Sequence, residues 1–62
     1  MEMDDQSYLR MRRKKLKLKL QDVADYLEVS KAAVSMYECY KFNFSKAKVQ
    51  KYYEFIEIKG GI

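Results

Sequence analysis

A chain of 62 residues makes one domain and buries barely enough surface to fold unaided, so its function must sit on its outside. With 48% hydrophobic and 35% charged residues it belongs with globular chains, and its single cysteine, Cys39, excludes an internal disulfide and points to a reducing cytosol. The net charge of +4 is concentrated, with seven of thirteen Lys and Arg falling between Arg10 and Lys19 and no acid among them, which points to a polyanion as partner. The start, Met1-Glu2-Met3-Asp4-Asp5, is acidic where a secretory leader is basic, and no apolar run approaches the ~20 residues that cross a bilayer. A cytoplasmic protein with no membrane role is expected.

The chain has no proline, repeat or linker, so nothing forbids helix before Gly60. Four helical segments are predicted. The first runs from about Asp5 to Leu16, capped by Asp4 or Asp5, with acids at its start and Arg and Lys crowding its end as the helix dipole prefers. The second spans about Leu20 to Leu27, where Leu20, Val23, Ala24 and Leu27 fall at i, i+3, i+4, i+7. The third follows Ser30 as N-cap, from Lys31 to Glu38, with Val34 and Tyr37 inward. The fourth follows Ser45, from Lys46 to Lys59, with a stripe of Val49, Tyr52, Tyr53 and Ile56 and a stop at Gly60 and Gly61. The alternation from Lys15 to Leu20 is a strand pattern, but a lone strand has no partner here and the segment's ends fit the flanking helices.

Two short helices joined across Glu28-Val29-Ser30 have helix-turn-helix spacing: Ala24 permits a close crossing, Val29 anchors the turn, and Val34 points inward. With Leu9, Arg13, Leu16, Leu18, Val23-Ala24, Leu27, Val29-Ser30, Val34 and Glu38 in this order, the chain resembles the Cro and phage-repressor, or Xre-like, helix-turn-helix family over about Leu9 to Ile56. The resemblance implies an all-α, four-helix, lambda-repressor-like domain lacking the family's fifth helix. It also implies a partly buried ion pair between Arg13 and Glu38, and a regulator of the kind found in phages and bacterial mobile elements. Three places where relatives often carry glycine hold Lys17, Glu28 and Tyr40. A left-handed backbone there costs roughly 1 kcal/mol per residue, so the domain either gives up stability or turns differently. Where relatives have a polar cap and a phosphate-gripping glutamine, this chain has Lys19 and Leu20.

The resemblance implies that the helix from Lys31 to Glu38 enters the major groove of double-stranded DNA, with Lys31, Ala32, Ser35 and Met36 at base edges. Ser30, Arg10, Lys14, Lys17, Lys19, Lys41 and Asn43 are the candidates for the sugar-phosphate backbone. Val49 and the aromatic Tyr52 are expected to pack in the core, and some of the aromatics Phe42, Phe44, Tyr53 and Phe55 to form a surface for a homodimer or a protein partner. Catalysis and metal binding find no support: there is no histidine, and the lone cysteine has no base beyond lysines. No cofactor is implied. The alternative readings are a helix-turn-helix fold used as a protein-interaction or inhibitor module and, behind it, a basic membrane-surface helix, against which Arg13 and Lys14 interrupt the apolar face.

Overall fold

A computed structural model describes residues 4–60. Over these residues the chain forms four α-helices and no strand: α1 (Asp5–Lys15), α2 (Leu20–Leu27), α3 (Lys31–Glu38) and α4 (Lys46–Gly60). The alternating stretch from Lys15 to Leu20 is the end of α1, a turn and the start of α2. Asp4 caps α1 by accepting the Ser7 amide at 2.8 Å, and Ser30 caps α3 by accepting the Ala33 amide at 3.1 Å. Lys19 precedes α2 and its side chain can only donate. The bond there runs the other way, from the Lys19 amide to the Asp22 carboxylate at 3.0 Å, which is half of a capping box.

The first three helices end alike. Lys17 (φ 59°), Glu28 (φ 59°) and Tyr40 (φ 63°) take the left-handed conformation, and the next amide in each case bonds back across the turn. Leu18 reaches the Arg13 carbonyl at 3.0 Å, Val29 that of Ala24 at 3.0 Å, and Lys41 that of Met36 at 2.9 Å. These are Schellman closures, built on the three residues that stand where the resemblance leads one to look for glycine. The turn is kept and the strain carried. Glu28→Gly, at an exposed position, should therefore stabilise the domain by up to about 1 kcal/mol, a rise of roughly 4–8 °C in melting midpoint for a chain this short. Thermal unfolding followed by circular dichroism checks this, and an unchanged or lower midpoint would show the turn to be unstrained.

The core is Leu9, Val23, Ala24, Leu27, Val34, Tyr37, Tyr52, Phe55 and Ile56. Helix α2 packs on α3 and α4, and α1 packs on α4 and α3. Backed in this way by α1 and α2, α3 keeps one long side free. Lys48 Nζ donates to the Leu27 carbonyl, placing a cation at the negative end of α2.

Two expectations need correction. Gly60 is helical and is the last described residue of α4, one beyond the expected end at Lys59, while Gly61 lies outside the described residues. A Cβ on Gly60 would stand 3.2 Å from Arg12 Nη2, so the absent side chain leaves room for that guanidinium against the helix end. The aromatic surface is also smaller than expected. Phe55 is buried, its ring 4.9 Å from that of Tyr26, because it lies three residues after Tyr52 on the same face of α4. Phe44 is half-buried and stacked on Tyr37 at 4.6 Å, and Tyr53 is half-buried and stacked on Tyr8 at 5.7 Å. Of the four, Phe42 alone is exposed, with its edge toward Phe44 at 5.4 Å.

Candidate nucleic-acid interface

The position of α3 is set by one buried carboxylate. Arg13 of α1 donates to Glu38 twice, from Nε to Oε2 at 2.7 Å and from Nη2 to Oε1 at 2.8 Å, and its Nη1 donates to the Leu18 carbonyl at 2.9 Å. From α4, Tyr52 donates its hydroxyl to Glu38 Oε2 at 2.5 Å. The Arg13 and Glu38 side chains are only 11% and 3% exposed, so the two charges meet where water does not screen them. The bonds to Glu38 push the Arg13 pKa further up, and burial followed by the same carboxylate pushes Tyr52 far above its ordinary value, so its proton stays in the bond. The last turn of α3 is thereby tied to α1 and α4 at once.

Tyr52 was visible in the sequence only as an apolar stripe residue. A tyrosine instead of phenylalanine on an inward stripe is a signal for a buried acceptor. The signal is not infallible, because Tyr37, equally buried on α3, has no partner for its hydroxyl among the described residues. Burial first, then Asp5 and Asp4, push that hydroxyl up to about 12.

Held from behind, α3 presents Lys31, Ala32 and Met36 as exposed residues and Ser35 as half-buried. Among the described residues, none of their side chains is bonded to the rest of the protein, and Met36 leaves 42% of its surface in water. Ser30 uses its oxygen as the cap acceptor and keeps its hydroxyl proton for an outside acceptor. On α1, Arg10 and Lys14 are exposed. Arg10 is partly engaged, with Nε 4.0 Å from Glu38 Oε1. An open notch of about 250 Å³, lined by Ser7, Arg10, Met11, Lys14, Glu38 and Tyr40, joins this basic edge to the end of α3. Lys17 and Lys19 are exposed in the turn after α1, and Lys41 and Asn43 in the loop after α3. Asn43 Oδ1 accepts from Gln6 Nε2 at 2.7 Å, so its amide hydrogens are the part left to solvent.

Leu20, at the start of α2, is half-buried and packed against the core. It makes apolar contact where a glutamine would reach outward. Cys39 is an exposed free thiol at the end of α3, and no group of three His, Cys, Asp or Glu converges among the described residues. No helix among them is long and apolar enough to cross a membrane.

Residues 9–58 match a protein-family model described as helix-turn-helix. The chain belongs to the Cro/C1-type helix-turn-helix family of DNA-binding regulators. No curated protein and no solved structure matches it. In this helix-turn-helix protein α2 and α3 are the two helices of the motif, with Glu28-Val29-Ser30 as the connection, and the matched span takes in both of them whole. A free helix face with one cation, one hydroxyl and two apolar side chains stands between two cationic edges, an arrangement suited to binding a polyanion.

Proposed function

We propose that this helix-turn-helix protein is a sequence-specific, repressor-like transcriptional regulator that inserts α3 into the major groove of double-stranded DNA. The observation that supports this most is the free outward row of α3, with Lys31, Ala32, Ser35 and Met36 unengaged by the protein itself. Lys31 suits guanine O6 and N7 or a phosphate, Ser35 suits either kind of base edge, and Ala32 and Met36 offer apolar contact to a thymine methyl. Arg10, Lys14, Lys17, Lys19 and Lys41, with Ser30 and Asn43, supply contacts to the backbone on both sides. The row lacks Arg, Asn and Gln, so direct readout is modest and the shape of the duplex contributes the rest. The protein acts in the cytoplasm, without cofactor or catalytic step. A protein-docking role has less surface to work with, since three of its four aromatic candidates are wholly or partly covered.

Selection from random DNA tests the reading. Ser35→Ala and Met36→Ala should each change preference at about one or two base pairs, by about 1–3 kcal/mol where a specific contact is lost, and leave non-specific binding intact. Lys31→Ala should weaken both kinds of binding. Identical preferences in wild type and all three variants would take α3 out of the groove.

A further inference from the structure

The loop after α3 carries Lys41 and Asn43, and it is tied down by side chains from the start of α1. Tyr40 opens this loop in the left-handed conformation, with φ 63°. Its hydroxyl donates to the Asp4 carboxylate, 2.9 Å from Oδ1 and 3.0 Å from Oδ2, and accepts from the Ser7 hydroxyl. Three residues on, Asn43 accepts from Gln6 at 2.7 Å. Between the two ties, Phe42 rests its edge on Phe44, which is itself stacked on Tyr37. The loop is therefore held at Tyr40, at Phe42 and at Asn43. Lys41 and the Asn43 amide hydrogens are the polar groups left pointing to solvent between these fixed points.

We propose that Asp4, Gln6 and Ser7, acting through Tyr40 and Asn43, are positioning residues that hold Lys41 and Asn43 in place for the DNA backbone. The proposal rests on the DNA-binding reading above. A lysine on an untethered loop loses rotamer and backbone freedom when it meets a phosphate, whereas a tethered loop has lost the backbone part before binding. The clamp carries no contact to DNA of its own. It also explains why a tyrosine stands where the backbone favours glycine: the phenol makes two bonds that glycine cannot make, at the expense of left-handed strain.

That trade separates positioning from mere stability. Tyr40→Gly relieves the strain and removes the clamp, so it should melt no lower than wild type yet bind more weakly. Tyr40→Phe keeps the ring and removes only the hydroxyl bonds. Binding to a short random-sequence duplex, titrated over a range of salt, is the measurement. Both variants should lose roughly three- to tenfold in affinity and flatten the dependence of log K on log salt by about one contact's worth, about 0.9. Gln6→Ala should do the same to a smaller extent. Lys41→Ala should cost less in the Tyr40→Phe background than in wild type, because the lysine is already misplaced there. If Tyr40→Gly and Tyr40→Phe bind with wild-type affinity and salt slope while Lys41→Ala weakens binding, the clamp is overturned and the DNA reading stands. A wild-type chain that binds no duplex at low salt overturns both.

Discussion

Glu38→Ala should unfold a large fraction of the protein at room temperature. The substitution leaves the Arg13 guanidinium nearly buried without its counter-charge, and it takes away the acceptor of Tyr52, which has no exposed surface. Stranding one member of a buried pair costs roughly 3–5 kcal/mol, and a domain of this length has a total stability of only roughly 3–9 kcal/mol. Glu38→Gln should do less harm, since the amide oxygen can still accept from Arg13 or Tyr52. Tyr52→Phe should cost still less, because Arg13 and Glu38 then remain paired. Urea or thermal unfolding of the three variants ranks them. Equal stability of Glu38→Ala and wild type would mean that the pair is open to water in solution and that α3 is held by apolar packing alone.

The affinity for DNA should collapse with salt. Five cations flank α3, namely Arg10, Lys14, Lys17, Lys19 and Lys41, all exposed. Each phosphate that one of them neutralises adds about −0.9 to the slope of log K against log salt, so the five together give about −4.5. A fourfold rise in salt then weakens binding about 500-fold. Lys14→Ala and Lys17→Gly should lower affinity for all sequences alike and reduce the slope by about 0.9 each. Glycine is chosen at Lys17 because it suits the φ of 59° there, so a loss of binding cannot be put down to a damaged turn. Mobility-shift titrations from low to physiological salt measure this. A complex indifferent to salt would sink the DNA reading, and the surface would then have to be explained by a protein partner.

The sequence by itself determined the class and the order of the elements. Leu20, Val23, Ala24 and Leu27 repeat with helical period, and Asp4 and Ser30 can accept from helix amides, so the positions of α1, α2 and α3 were legible before any packing was known. These are local matters, decided within a turn or two of chain. The outward row of α3 was legible for the same reason, because Val34 and Tyr37 define the inward side of an eight-residue helix and Lys31, Ala32, Ser35 and Met36 fall off that side.

What only the tertiary structure decided is everything that depends on a neighbour distant in the chain. Phe55 could not be told from a surface aromatic until α4 lay against α2, where it meets Tyr26. That Arg12, from another helix, occupies the space a side chain on Gly60 would need could not be read from the sequence. Nothing in the spacing of Asp4, Gln6 and Ser7 pointed to Tyr40 and Asn43, more than thirty residues away. Lys17, Glu28 and Tyr40 could each have taken an ordinary turn. Their left-handed conformations persist because the helices they join are each buried against two others, and that packing outweighs a local strain of about 1 kcal/mol per residue.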